Sequence, residues 1–381
     1  MRVLQTIQSM NLKSGGPTTC TRDLMNVLGS SGETIDLLTF KDSDDLSQIA
    51  GWNSSWLKIV ENDTITPLRI SKNFRHALDQ SDYDLYHCNA LWLYSNHMTC
   101  KIAREKGRPY VLSPHGMLYP TALALKRWKK LPMLYAWFNK DIMKSTCIHA
   151  TCIEEMEHCR AFGYRGPIAV IPNPVVFPKS IEIKKQIDEE PAIGFLGRFH
   201  PIKKVENLLK GANIALRRGC RKFRIYLIGA GDKQYESFIH EEVRRLKLEE
   251  SVQFLGYITG KEKYEWLSKF RALFVPSVQE NFGMIVPEAL ICGTPVYASL
   301  GTPWQELNEV GCGWWRDNSP ETIADIIDVV MSISDEELLS MGYRGHALMK
   351  DKYEQHKVAS MMIDLYKWIL GCGPKPSYVY D

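Results

Sequence analysis

The stretch FVPSVQENFGMIVPEAL, Phe274–Leu290, predicts a strand, a turn and a helix that together form a ligand site. A short apolar run predicts a buried strand, a polar turn containing Gly283 follows, and an apolar helix begins near Pro287. Glu280 and Glu288 lie on either side of the turn, with seven residues between them. The start of a helix offers unpaired N–H groups and the positive end of the macrodipole, which suit a phosphate. Because the two carboxylates can accept hydrogen bonds from sugar hydroxyls, the stretch predicts a site for a nucleotide sugar.

Length and composition indicate two globular domains. The 381 residues suit two domains of roughly 150 to 200 residues each. Hydrophobic residues make up 45% of the chain and charged residues 24%, and no apolar run approaches the roughly 20 residues that span a bilayer. The N-terminal MRVLQTIQSM reads as a strand and lacks the apolar core of a signal peptide. We therefore expect a cytoplasmic protein.

The ten cysteines show no CxxC pair and no regular disulfide framework. Cys147, Cys152 and Cys159 lie close to His149 and His158, but their spacing fits no common zinc pattern. We expect reduced, mostly buried thiols and no structural metal.

Strands alternate with helices in the N-terminal half, as in α/β domains. A first strand leads through Gly15 and Gly16 to a helix from about Pro17, and paired glycines let backbone amides approach a ligand. The buried strand YVLS is followed by PHGM, which puts His115 at a strand's carboxyl end, where ligands bind in open α/β sheets. The alternatives are an ordinary turn for the glycines and a backbone-capped loop histidine.

The C-terminal half opens with PAIGFLGRFHPIKK, a strand that ends at Gly197 and is followed by Arg198 and Lys203. Two cations at a sheet's carboxyl edge suit a departing diphosphate, although they could also be ordinary solvated charges. A later strand ends in Gly229-Ala230-Gly231-Asp232, where a dinucleotide fingerprint would need a third glycine in place of Gln234. NAD binding is therefore not supported.

Together these motifs resemble retaining glycosyltransferase family 4, which has a glutamate, seven residues and a second glutamate, with Phe-Gly after the first. The resemblance implies the GT-B fold, an α/β architecture of two doubly wound Rossmann-like domains facing across a cleft. It implies catalytic roles on the donor sugar and diphosphate for His115, Arg198, Lys203 and Glu280. The expected donor-binding residues are Gly15, Gly16, Gly229, Tyr257, Phe282, Gly283, Met284, Ile285 and Glu288.

Within that set, the resemblance gives Glu280 the donor sugar's hydroxyls and Glu288 the ribose, while the amides of residues 282–285 face the phosphates. The chain departs from the family pattern at Pro174 and Lys204, where glycine is usual. The second departure leaves open which of the two adjacent lysines reaches the phosphate.

The predicted organisation is an acceptor domain over residues 1–176, with the helix at 356–381 packing back on it, and a donor domain over 190–355. Residues 177–190 read as a solvated linker. The first hypothesis is a metal-independent and cofactor-independent retaining hexosyltransferase that moves a sugar from a nucleoside diphosphate, with UDP as the family-level expectation. In this hypothesis the acceptor is a growing, lipid-linked surface glycan of the polysaccharide or lipopolysaccharide type.

Two alternatives to transfer remain, a nucleotide-sugar epimerase of the same fold and a non-catalytic nucleotide-sugar binder. For transfer, we favour front-face attack over a covalent intermediate because no carboxylate is clearly placed beneath the anomeric carbon.

The segment KRWKKLPMLYAWFNKDIMK, residues 126–144, is basic and aromatic. Its apolar positions recur at intervals of three and four and predict one buried helix face, with Pro132 near the helix start: Trp128, Leu131, Tyr135, Phe138 and Ile142. We expect the basic cluster Lys126, Arg127, Lys129 and Lys130, together with Trp128, to be exposed and to dock on the anionic inner leaflet. Residues 1–175 hold 20 basic and 16 acidic residues, but the net charge of the chain is only +3, which argues against nucleic-acid binding.

Overall fold

The computed structural model describes residues 1–11, 14–64, 68–125, 127–178 and 190–381, with the backbone alone described for Arg127 and Lys129. The chain divides into two compact units, Met1–Val176 with Gln355–Asp381 (unit 1) and Phe177–Glu354 (unit 2). Lys126 and most of the predicted linker lie outside the described residues.

Unit 1 is built on an eight-stranded sheet. Numbered through the whole chain, its strands are β1 (Arg2–Ser9), β2 (Thr34–Phe40), β3 (Leu57–Val60), β4 (Leu85–Asn89), β5 (Tyr110–Ser113), β6 (Cys147–Ala150), β7 (Ile168–Val170) and β14 (Val379–Tyr380). The spatial order is β14-β7-β6-β5-β4-β1-β2-β3. All neighbours pair in parallel except β14, which runs antiparallel to β7.

Helices cover both faces of this sheet. They are α1 (Gly16–Leu28), α2 (Lys72–Asp79), α3 (Tyr94–Glu105), α4 (Pro120–Ala124), α5 (Arg127–Met133), α6 (Asn139–Met143), α7 (Ile153–Phe162) and α15 (Gln355–Ile369). Helices α1 and α15 pack on one face through a cluster that includes Met25 and Met362. Helices α2 and α3 pack on the other face through a cluster that includes Phe74 and Met98. Because helices cover both faces, every residue of the central strands β4, β5 and β6 is buried.

Unit 2 has a six-stranded, wholly parallel sheet. Its strands are β8 (Ala192–Leu196), β9 (Arg224–Ile228), β10 (Val252–Gly256), β11 (Ala272–Val275), β12 (Val296–Ser299) and β13 (Gly313–Arg316). Its helices are α8 (Val205–Arg217), α9 (Lys233–Arg245), α10 (Gly260–Lys269), α11 (Ile285–Ile291), α12 (Glu306–Val310), α13 (Pro320–Ser332) and α14 (Asp335–Leu348). The spatial order is β10-β9-β8-β11-β12-β13.

Each sheet reverses its strand order once, between β4 and β1 in unit 1 and between β8 and β11 in unit 2. This is the doubly wound arrangement, and the prediction of two Rossmann-like α/β domains is confirmed. In such sheets ligands bind outside the carboxyl ends of the strands at the point of reversal. The loops that leave those four strands are therefore the first places to look for a functional site.

The prediction of a single buried face over residues 126–144 is wrong in its first half. Phe138 and Ile142 are fully buried, but Tyr135 is 83% exposed. Trp128 is 74% exposed, as expected for the residue beside the basic cluster. The segment is not one regular helix, because a π-helical turn at Leu134–Phe138 separates α5 from α6 and Pro132 lies inside α5 rather than at its start. A π turn adds a residue to the helical repeat, so the positions on either side of it do not share one face.

Among the described residues, no helix combines the length and apolar character needed to cross a bilayer.

Candidate active site

Two loops meet at the strand reversal of unit 2. One follows β8 and carries Arg198 and Lys203, and the other follows β11 and carries Glu280. The Val278 N–H donates to the Ile202 carbonyl at 2.8 Å, which ties the two loops together. The sequence-predicted cations and carboxylate therefore share one edge of the sheet.

Lys203 and Glu280 form a direct ion pair. The Lys203 Nζ donates to Glu280 Oε1, and the Ser277 hydroxyl donates to the same oxygen at 2.7 Å. Both charged side chains are largely buried. An ammonium has three N–H donors, so Lys203 can hold Glu280 and still donate to a phosphate oxygen.

Lys204 points to a different partner. Its Nζ lies 3.3 Å from Glu206 Oε1, on α8, and the Tyr235 hydroxyl donates to the other carboxylate oxygen of Glu206. The Lys204 backbone is in the left-handed region, with φ of 52°, which glycine adopts at least cost. This conformation explains why glycine suits the position, and the structure brings Lys203 rather than Lys204 to the carboxylate of the second loop.

Glu288 lies in the first turn of α11, which starts at Ile285, two residues before the predicted start at Pro287. Its Oε1 accepts a hydrogen bond from the Lys263 Nζ of α10 at 2.7 Å. The two side chains are 16% and 18% exposed, respectively. Sequence reasoning missed Lys263, which forms a second ion pair beside the first helical turn.

The turn between the two glutamates is anchored from behind by aromatic side chains. The Trp304 indole N–H donates to the Phe282 carbonyl at 2.5 Å, and the two rings lie 5.1 Å apart. Tyr353 packs against both rings. Gly283 has φ of 74°, which permits the sharp turn, and Met284 caps α11. The N–H groups of the first helical turn have no partner within the helix, so residues 282–285 can present amides to an anion.

Gly229 lies where two loops of unit 2 pack closely against each other. Its φ is 146°, and a Cβ on it would lie 1.9 Å from the Gly197 carbonyl oxygen. The Gly229 N–H donates to the Gly256 carbonyl at 2.7 Å, next to the exposed Tyr257. Gly229 thus lets the β9 loop pack against the loop that carries Arg198, which is itself exposed.

Three sequence-predicted residues belong to unit 1. Gly15, with φ of 89°, precedes α1, and Gly16 is its first residue. A Cβ on either glycine would meet nothing within 4 Å, so both face open space. His115 follows β5 with φ of 51°, and its Nε2 lies 3.1 Å from Asn89 Oδ1 at the end of β4.

Behind His115, a buried hydrogen-bonded chain of side chains crosses the sheet on the face that α15 covers. Its members, in order, are His115, Asn89, Gln5, Tyr366, His87, Ser113 and His149, and it ends at the carbonyl of Ile171; all of these side chains are buried except that of His115, which is half-buried. Burial lowers the pKa of His115 to about 3 and that of His149 to about 4, and it lowers the pKa of His87 well below its ordinary value. All three imidazoles are therefore neutral near pH 7. No motif in the sequence predicted this series of hydrogen-bonded side chains.

All ten cysteines are free thiols and eight are buried. Burial raises the pKa of Cys147 and Cys152 to about 12, so neither is a reactive thiolate near pH 7. His149, which the sequence places near these cysteines, is bonded to Ser113 and Ile171 instead. Across the residues that the structure describes, no group of three His, Cys, Asp or Glu side chains is arranged to hold a metal ion.

Two family models match the chain. Residues 15–174 match the glycosyl transferase 4-like domain, and residues 177–347 match the glycosyl transferases group 1 model.

Three curated relatives illustrate the range of similarity. An uncharacterized glycosyltransferase of Methanocaldococcus jannaschii is 28% identical over 199 residues, covering 50% of this chain and 47% of the relative. The O-antigen biosynthesis glycosyltransferase WclY of Escherichia coli is 26% identical over 157 residues, covering 41% of this chain and 43% of WclY. The chain thus spans about half the length of these two relatives. The putative glycosyltransferase EpsF of Bacillus subtilis is 25% identical over 316 residues, covering 78% of this chain and 79% of EpsF.

Solved structures share the fold at low sequence identity. Anabaena HepE, crystallised with UDP and glucose, superposes with a TM-score of 0.75 at 17% identity, covering 97% of this chain and all (100%) of HepE. Sucrose-phosphate synthase from Thermosynechococcus elongatus gives a TM-score of 0.77 at 18% identity, covering 98% of this chain and 100% of that protein.

Proposed function

We propose that this chain, which belongs to the group 1 glycosyltransferases and has the GT-B fold, is a retaining transferase that moves a sugar from UDP to a hydroxyl of a growing glycan. The observation that carries the proposal is the pairing of Lys203 with Glu280, and of Lys263 with Glu288, on the two sides of one turn. Two partly buried carboxylates, each beside an ammonium, match a ligand that alternates sugar hydroxyls with phosphates. The complex of HepE with UDP and glucose supports UDP as the carrier.

In this proposal the bond between the anomeric carbon and the β-phosphate oxygen breaks, and its electron pair stays on the phosphate. Lys203, Arg198 and the amides of residues 282–285 stabilise that growing charge, the contribution that usually matters most in such reactions. The acceptor oxygen bonds to the anomeric carbon on the face that the phosphate leaves, and its proton passes to the departing phosphate oxygen. Because side chains and amides meet the diphosphate charge, the proposal needs no metal.

The remaining residues bind and orient the donor. Glu280 accepts hydrogen bonds from the donor sugar, and Ser277 and Lys203 fix its carboxylate. Glu288 accepts hydrogen bonds from the ribose, and Tyr257 lies beside the backbone turn that meets the base. We propose that His115 contacts the donor sugar, as the resemblance implies, and that Gly15 and Gly16 leave room for the ligand.

Incubation with a panel of nucleotide sugars, with and without acceptor glycans, tests the activity. Release of UDP with a new glycosidic bond of the donor's anomeric configuration supports retaining transfer. An isomerised donor without acceptor indicates an epimerase, and binding without turnover indicates a non-catalytic binder.

Arg198→Ala should lower turnover about 100-fold or more. Arg221→Ala is the matched control, because Arg221 is exposed and precedes β9 at the opposite edge of the sheet. Equal effects of the two variants would contradict the phosphate role of Arg198.

We further propose that the acceptor is lipid-linked and is met at the cytoplasmic face of a membrane. Leu125 is 65% exposed, and Trp128 and Tyr135 are exposed on the basic segment that follows it in sequence. The same part of unit 1 holds a cavity of about 290 Å³ with a mainly apolar lining: Trp92, Pro120, Leu123, Ala124, Lys130, Leu131, Leu134 and Phe162. Exposed aromatic side chains in a segment rich in Lys and Arg suit the interface of an anionic bilayer. Lys130 departs from the expected exposure, because it is half-buried and donates to the Ala122 carbonyl. The similarity to an O-antigen glycosyltransferase supports a surface glycan.

Co-sedimentation with anionic and neutral vesicles, at low and high salt, tests this docking. We expect binding to anionic vesicles alone, weakened when residues 126, 127, 129 and 130 are changed to Gln and when Trp128→Ala is introduced. Tyr343→Ala, which changes an exposed aromatic of unit 2, should bind as the unmodified protein does. Equal binding to both vesicle types would mean that another surface meets the acceptor.

A further inference from the structure

The buried chain of side chains behind His115 has only one consistent arrangement of hydrogens. At one end, His149 Nε2 lies 2.8 Å from the Ile171 carbonyl, and a carbonyl can only accept. His149 therefore carries its proton on Nε2, and as a neutral imidazole it must accept at Nδ1. The Ser113 hydroxyl, 2.7 Å from that nitrogen, must donate to it.

The same reasoning continues along the sheet. Because the Ser113 hydroxyl already donates its hydrogen to His149, its oxygen accepts a hydrogen bond from His87 Nε2 at 2.6 Å. His87 Nδ1 then lacks a proton and accepts from the Tyr366 hydroxyl at 2.6 Å. Each step follows from the one before because each neutral group has a single hydrogen to give.

Two side-chain amides extend this fixed arrangement of donors and acceptors to the carboxyl ends of the strands. Gln5 donates its Nε2 to the Tyr366 oxygen at 3.0 Å, and its Oε1 accepts from Asn89 Nδ2 at 3.1 Å. Asn89 is left with its oxygen facing His115 Nε2 at 3.1 Å. His115 must therefore donate from Nε2.

We infer that His115 is fixed as the neutral tautomer protonated on Nε2, and that its Nδ1 accepts a hydrogen bond from a hydroxyl of the donor sugar. Asn89 and Tyr366 are the positioning residues that set this state, the second from a helix about 250 residues further along the chain than His115 (366 against 115). The inference rests on the proposed function for the identity of the ligand, but the tautomer itself does not.

The inference defines the class of sugar that the site takes. An acceptor nitrogen requires a hydroxyl hydrogen, so a donor with hydrogen, fluorine or a methoxy group at the contacted position leaves Nδ1 without a partner. A site built around one polar contact discriminates strongly against analogues that lack the matching group. We expect at least about a tenfold loss of kcat/KM for the deoxy and the fluoro analogue alike.

Histidine ¹⁵N NMR on the free protein tests the tautomer without any substrate. Near pH 7 we expect His115, His87 and His149 each to show a protonated Nε2 and a bare Nδ1, with signals assigned from single His→Gln variants. Asn89→Leu should leave His115 in a mixture of tautomers, while Asn89→Asp, which keeps an acceptor oxygen there, should restore the Nε2 proton. Tyr366→Phe, which removes the oxygen that accepts from Gln5 Nε2, should likewise leave His115 in a mixture of tautomers. A proton on His115 Nδ1 in the unmodified protein would overturn the inference.

Donor analogues test the ligand. At one position of the sugar, replacing the hydroxyl by hydrogen or by fluorine should lower kcat/KM alike. His115→Ala should abolish that selectivity. A fluoro analogue used as well as the hydroxyl at every position would overturn acceptance by Nδ1. Absence of turnover with any nucleotide sugar would refute the proposed function, and the NMR result would still decide the tautomer.

Discussion

The replacement Glu288→Gln should weaken UDP binding without unfolding the protein. The change keeps the size of the side chain and removes its charge. It acts on a carboxylate that is 16% exposed and bonded to Lys263 at 2.7 Å. A neutral amide can still meet a ribose hydroxyl, but it loses the extra strength of a charged acceptor.

The expected size follows from the contacts. A hydrogen bond to a charged group contributes about 1.5–3 kcal/mol, and every 1.4 kcal/mol corresponds to about tenfold in Kd. The amide keeps a neutral hydrogen bond of about 0.5–1.5 kcal/mol, so the net loss of about 1–1.5 kcal/mol should raise the Kd for UDP by about 5- to 12-fold. Lys263 loses its carboxylate partner in the same variant and is free to attract the diphosphate, which places the expected value nearer the lower end.

Calorimetric titration of UDP measures the change, with thermal unfolding as a check on the fold. Glu265→Gln is the matched control. Glu265 lies on α10, the helix that carries Lys263, but it forms an exposed pair with Lys261, and such pairs contribute little. The control should change Kd less than about twofold. Unchanged UDP affinity in folded Glu288→Gln would refute the ribose assignment and the reasoning from the Lys263 pair.

Three further predictions follow from the contacts described. Lys203→Ala should lower kcat about 100-fold in a UDP-release assay while Lys204→Ala stays near normal, and the reverse ranking would reassign the phosphate contact. Gly229→Ala should lower the free energy of unfolding by more than about 2 kcal/mol, because its Cβ would lie 1.9 Å from a backbone carbonyl; an unchanged urea midpoint would contradict this. His87 and His149 are neutral when folded but bind protons when unfolded, so stability should fall as the pH drops below about 6.5, by about 1.4 kcal/mol per group at pH 5.5. A flat denaturation profile between pH 8 and 5.5 would contradict the buried neutral imidazoles.

The doubly wound sheets and the main loops of the candidate site could be predicted from the sequence. Lys203 and Glu280 both follow short apolar strands, and parallel strands that are neighbours end at one edge. Lys263 could not be found in this way, because its contact with Glu288 depends on how α10 packs against α11. No spacing in the sequence reports that packing.

The buried polar chain was missed for a related reason. Strand β4 reads LYHCN, in which His87 and Asn89 alternate with residues of the opposite face, and one strand does not show which polar groups lie next to them. Their partners come from β1, β5, β6 and α15, so the chain exists only once the register of the whole sheet is set. The regular spacing of apolar residues over 126–144 predicted one continuous helix face. That prediction failed because a π turn interrupts the helix without an obvious local signal in the sequence.

The division of unit 1 into two sequence segments has a consequence for synthesis on the ribosome. Unit 2 is complete when residue 354 has been made, but the sheet face of unit 1 that α15 covers stays open until residues 355–381 have left the exit tunnel. Multidomain chains generally fold from the N-terminus as they emerge. Here the first unit to be made is the last that can finish, and its exposed apolar face should be a target for chaperones during that delay.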